Sequence, residues 1–129
     1  MRSLKRIAIV ITSLLLLSSC SSNGKSSGYR QITMDEAVVM MKEKENYIIL
    51  DVRRKEEFDE GHIPGAINVA NEEIGSDEIE ELPNKNQLIL VYCRSGRRSK
   101  EASEKLVKLG YTDIVEFGGI IDWKGEIEK

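Results

Sequence analysis

Two unbroken apolar runs, residues 47–52 (YIILDV) and 87–92 (QLILVY), limit what this chain can fold into. A strand with one wet face alternates apolar and polar residues. These runs do not alternate, so each needs cover on both faces. Double cover comes from strands that alternate with helices, which makes neighbouring strands parallel. Thr33 and Glu36 form a capping-box pattern ahead of the apolar residues 37–41, predicting a helix to about residue 44. Residues 99–109 carry Ala102, Leu106 and Leu109 on one helical face, and Gly110 follows as a stop. Shorter strands are expected at 29–32, 66–70 and 113–117, with a short charged helix around Phe58 at 54–60. The Gly/His/Pro segment 61–65 reads as a turn, and the acidic stretch 72–82 as one or two weak helical turns. The fold class is α/β: one domain with a central, mostly parallel sheet of about five strands flanked by helices on both faces.

A chain of 129 residues suits one such domain, and its beginning lies outside it. Arg2, Lys5 and Arg6 precede an apolar segment, 7–17, broken only by Thr12 and Ser13. A positive segment followed by so short an apolar one has the layout of a secretory signal. A spanning helix would need about 20 apolar residues. Leu17-Ser18-Ser19-Cys20 resembles the lipobox of bacterial lipoproteins, which implies cleavage before Cys20 and lipid on that cysteine. The expected organisation is a signal peptide at 1–19, a lipidated Cys20 with a Ser/Gly-rich tether at 20–28, and the folded domain at 29–129. The protein is then exported and lipid-anchored to the extracytoplasmic face of a bacterial membrane. Losing Arg2, Lys5 and Arg6 takes the net charge from −3 to −6, which argues against nucleic acid as a partner.

With Cys20 lipidated, Cys93 is a lone thiol with no disulfide partner. It stands where a buried strand ends and a helix is about to begin, the place where open α/β sheets bind ligands. Unsatisfied amides and the macrodipole at a helix amino end favour negative charge there, on a bound anion or on the sulfur itself. Arg94, Arg97 and Arg98 crowd the same turn, although a helix start disfavours cations. An anion held between loop amides and guanidinium groups explains both features, and Gly96 lets the loop fold inward. A solvated basic turn explains the arginines but not the cysteine at the strand end. Ser99 is read as the cap of the following helix.

Cys93-Arg94-Ser95-Gly96-Arg97-Arg98 resembles the six-residue active-site loop of rhodanese-like sulfurtransferases. Leu50-Asp51-Val52-Arg53, Glu57-Phe58, Gly61-His62-Ile63-Pro64-Gly65-Ala66-Ile67-Asn68 and Gly118-Gly119 with Trp123 resemble that family's other signatures, in the family's order. The resemblance spans about residues 31–123. It implies that Cys93 takes a sulfur from an anionic donor such as thiosulfate and passes it to a thiophilic acceptor, with no metal and no organic cofactor. Arg94, Arg97 and Arg98, with Ser95, Gly96 and Ser99, would hold the donor. Asp51, Arg53 and His62 would support the site structurally, and Trp123 would serve as a core or lid aromatic. A monomeric domain is expected.

Three rival readings remain at this point. Phosphatases and arsenate reductases also cradle an oxyanion over a cysteine, but their loops are one residue longer than the four-residue gap between Cys93 and Arg98. A non-catalytic binding module would typically have lost the cysteine. A persulfide carrier or redox partner of another exported protein would keep it.

Overall fold

The computed structural model describes residues 28–129. The signal segment, Cys20 and the tether up to residue 27 lie outside the described residues. Five strands, β1 (Arg30–Gln31), β2 (Tyr47–Asp51), β3 (Ile67–Asn68), β4 (Leu88–Cys93) and β5 (Ile114–Gly119), form one sheet in the order β1-β5-β4-β2-β3. Every pairing is parallel. The two apolar runs are β2 and β4, side by side at the centre, with Leu50 opposite Val91.

The double cover is visible in which residues point where. Leu50, Ile89, Val91, Cys93 and Ile114 pack with Ala102 and Leu106 of α3 (Arg97–Lys108). Ile49, Leu90, Tyr92, Val115 and Phe117, alternating with them, pack on the other side with Ala37 of α1 (Met34–Glu43) and Phe58 of α2 (Lys55–Glu60). Successive strand residues thus feed two separate cores. The Thr33–Glu36 capping box forms in both directions, at 2.9 and 3.1 Å. Gly110 ends the last helix with a φ of 98°, a left-handed conformation that costs glycine little.

Of the shorter elements, the weak helical turns are met in reduced form and one strand is corrected. The acidic stretch 72–82 is loop apart from a 3-10 turn at Asn71–Glu73 and a turn at Glu80–Glu81. It buries Ile74, Ile79 and Leu82 singly, without a helical stripe. The strand expected at 66–70 pairs only over Ile67–Asn68. There the chain leaves the sheet edge, and Asn71 donates its amide to Val52.

Candidate active site

Cys93 is the last residue of β4 and Arg97 the first of α3, so the loop between them lies at the carboxyl edge of the sheet. Gly96 turns the chain there with a φ of 115°, the left-handed region that excludes most side chains. This conformation aims the Gly96 amide back at the cysteine, and N–H donates to Sγ at 3.0 Å. A second device holds the loop from behind. The β4–β5 register shifts between Val91 and Cys93, bringing Gly119 opposite Cys93. A Cβ on Gly119 would lie 1.9 Å from the Arg94 carbonyl oxygen, so only glycine admits this approach. The Gly118-Gly119 pair thus buttresses the loop.

An open cleft of about 400 Å³ sits over the sulfur, lined by Cys93, Arg94, Ser95, Arg97, Arg98, Arg54, Glu57 and Glu72. Cys93 is only 1% exposed, which places its sulfur at the cleft floor. The arginines expected to hold an anion are not equivalent. Arg98 is held by Glu57 of α2 through a two-point contact at 2.7 and 3.1 Å. The Glu57 bond, which outweighs burial, raises its pKa further. Arg97 is exposed and paired with Glu101 one turn along its own helix, at 2.9 Å. Arg94 is exposed and has no salt bridge among the described residues. It is the loop cation most available to an incoming anion.

Glu57 is a site residue that charge reasoning on the loop alone missed. The Arg98 hydrogen bond holds its carboxyl down to about 2 against the penalty of burial, assisted by the Arg54 amide. A carboxyl depressed in the folded state contributes stability that is complete above its unfolded pKa and lost as pH falls through the folded one. Acid melting of wild type against Glu57→Gln should therefore converge between about pH 4.5 and 2, the wild type losing its advantage there. Parallel curves over that window would remove Glu57 as the anchor of Arg98.

Asp51 and Arg53, both expected to support the site structurally, form a buried ion pair with each other. Asp51, with no exposed surface, accepts from the Arg53 side chain at 2.8 and 3.1 Å and from the Arg53 amide at 2.9 Å. The Tyr92 hydroxyl donates to the same carboxylate at 2.7 Å. Burial works against the Arg53 charge, but Asp51 outweighs it and the guanidinium is held protonated more firmly than usual. Burial, then Asp51, keeps the Tyr92 phenol protonated well above its usual range. Asp51 lies on the α1–α2 face of the sheet, opposite to the Cys93 sulfur. His62 is also set apart. Its ring stacks on Phe58 at 3.7 Å, Nδ1–H donates to the Phe58 carbonyl at 2.9 Å, and it does not line the cleft. Trp123 is half-buried against the α1-side core and donates its indole N–H to the Glu126 carbonyl.

Ser99 does not cap the helix. Gly96 is the N-cap residue, and Ser99 lies in the first turn of α3 with no exposed surface. Its hydroxyl oxygen is 3.4 Å from Cys93 Sγ and 2.5 Å from the carboxylate of Glu116, a buried β5 residue absent from the sequence reading.

The rhodanese-like domain profile matches residues 33–126. The thiosulfate sulfurtransferase PspE of Escherichia coli is 38% identical over 73 residues, covering 57% of this chain and 70% of that one. The putative sulfur carrier protein YrkF of Bacillus subtilis is 32% identical over 108 residues, covering 83% of this chain and 57% of that one. A solved rhodanese with anions from E. coli superposes with a TM-score of 0.58 at 35% identity, over 64% of this chain and 98% of its own. A parallel five-strand sheet that ends in a glycine-turned cysteine loop, matched along most of its length, places this chain in the rhodanese-like domain family.

Proposed function

We propose that the chain is a sulfurtransferase that moves a sulfane sulfur from thiosulfate, or a similar inorganic oxyanion, to a thiophilic acceptor through a persulfide on Cys93. The observation that carries this reading is the sulfur at the floor of a basic cleft with an amide donating to it at 3.0 Å. Cys93 acts as its thiolate. Sγ attacks the outer sulfur of thiosulfate, the Sγ–S bond forms, the donor's S–S bond breaks, and its electron pair departs with sulfite. The persulfide anion rests against the Gly96 amide and the amino end of α3, donors already in place when the charge arrives. Arg94 is free to meet the donor's oxygens, while Arg98 is held at the cleft wall by Glu57. A nucleophilic acceptor such as cyanide then bonds to the outer sulfur, the Sγ–S bond breaks, and the thiolate returns.

Incubation with thiosulfate is expected to add the mass of one sulfur atom to the protein, and cyanide to remove it as thiocyanate. Prior alkylation of Cys93 should block the addition. Thiosulfate should also load the protein faster than 3-mercaptopyruvate. Absence of the adduct would sink the reading, and a preference for mercaptopyruvate would overturn the choice of donor. Similarity to a putative sulfur carrier favours a second reading, in which the persulfide is handed to a protein. Stoichiometric loading without multiple turnover on cyanide would select it.

A further inference from the structure

Glu116 is a carboxylate 3% exposed in a strand whose neighbours Val115 and Phe117 are core residues, and it has no salt bridge among the described residues. Burying such a group costs stability unless hydrogen bonds compensate. Both donors found lead to the cysteine loop. The Gly118 amide donates to Oε2 at 2.9 Å, and the Ser99 hydroxyl donates to the same oxygen at 2.5 Å, the short length of a charge-assisted bond. Ser99 has a single hydroxyl proton. With that proton directed at Glu116, the oxygen lone pairs are left to accept from the Cys93 thiol, which lies 3.4 Å away as donor. The chain Cys93 Sγ–H, Ser99 Oγ–H, Glu116 carboxylate is thus continuous and points one way.

We propose that Ser99 and Glu116 form a proton relay that receives the Cys93 thiol proton, with Glu116 acting as a positioning residue through Ser99. The Sγ–H bond breaks as a bond forms from that proton to Ser99 Oγ. The original Ser99 proton passes to Glu116 Oε2. Nothing is oxidised and no co-reactant is needed: a thiol and a carboxylate become a thiolate and a carboxylic acid. Negative charge moves from a buried strand to the loop, where the Gly96 amide and the amino end of α3 receive it, so no new charge is created in the interior. Afterwards Glu116 donates to Ser99 Oγ, and the Ser99 hydroxyl turns to the sulfur as a second donor to the thiolate. The Gly96 and Gly118 carbonyls, 2.9 and 3.4 Å from Ser99 Oγ, are the competing acceptors for that hydroxyl.

Other charges border the relay. Glu36 of α1 and Lys100 of α3 share a shallow cleft with Glu116, and β1 contributes only the neutral Gln31 opposite it. Arg54, Glu57, Glu72, Arg94, Arg97 and Arg98 surround the sulfur. Of these, none stands between Sγ and Glu116; Ser99 does.

The relay serves the sulfurtransferase reading but is tested without a sulfur donor. Iodoacetamide alkylation of Cys93 reads the thiolate directly across pH. Two coupled groups lose their protons in two steps that belong to the pair. Wild type is therefore expected to show a rate profile that rises in two steps with a plateau between them. E116Q should give a single step, already at full rate in the range of the wild-type plateau. S99A should lose the lower step and S99T should restore it. A one-step wild-type profile overturns the relay whatever the variants do. So does a two-step profile that persists in E116Q, which would assign the lower step to Glu57 or Glu72. If E116Q fails to fold, the S99A and S99T pair decides the same question. A two-step profile in a protein that takes no sulfur from thiosulfate would keep the relay and remove the donor.

Discussion

Cys93→Ser is expected to take up no sulfur from thiosulfate and to turn over none, while folding as the wild type does. The substitution exchanges a sulfur for an oxygen at the floor of the cleft and leaves the loop's glycines and arginines in place. An alcohol is not ionised at neutral pH in the way a thiol can be, and a persulfide has no stable oxygen counterpart, so the loss should be complete rather than partial. Stability should change by no more than about 1 kcal/mol, because the Gly96 amide and Ser99 still offer hydrogen bonds to the new hydroxyl. Intact mass after thiosulfate treatment, with a denaturation curve on the same sample, checks both halves. Sulfur uptake equal to wild type would move the chemistry away from Cys93. Cysteine-dependent hydrolysis of p-nitrophenyl phosphate would revive the phosphatase reading that the short loop argues against.

Much of this site is legible in the sequence because its parts are local. A cysteine at the end of an apolar run, a glycine three residues on and a helical stripe from Ala102 together point to a strand, a glycine turn and a following helix. What was not legible depends on contacts across the fold. Three arginines read as one basic cluster, yet two of them have carboxylate partners, and Glu57 reaches Arg98 across 41 positions of sequence. Ser99 sits where a cap is common, but the left-handed Gly96 moves the cap three residues earlier and turns Ser99 inward. Glu116 did leave a signal. In the stretch 114–117 (IVEF) a lone acid interrupts an apolar strand, and an acid in a doubly covered strand needs a buried partner. The partner could not be named from sequence, because the bulge that sets the β4–β5 register is a property of the pairing.

Asp51→Ala is expected to cost about 3–5 kcal/mol of folding stability, the loss typical of breaking a buried ion pair from one side. The size follows from what is left behind. Arg53, 6% exposed, would keep its charge with only the Gly61 carbonyl, at 2.6 Å, as acceptor, and the Tyr92 hydroxyl would lose its acceptor inside the core. Removing both charges is different, since an uncharged pair needs no compensation: Asp51→Ala combined with Arg53→Met should recover part of the loss. Urea denaturation of the single and double variants tests this, and equal loss in both would mean that the unpaired charge is not the cause. The same experiment separates support from chemistry. Asp51 points to the α1–α2 face while Cys93 points to the α3 face. At a temperature where Asp51→Ala is still folded, its sulfur loading per folded molecule should match wild type. A loading defect in fully folded protein would instead place Asp51 in the reaction, acting through β4 from the opposite side of the sheet.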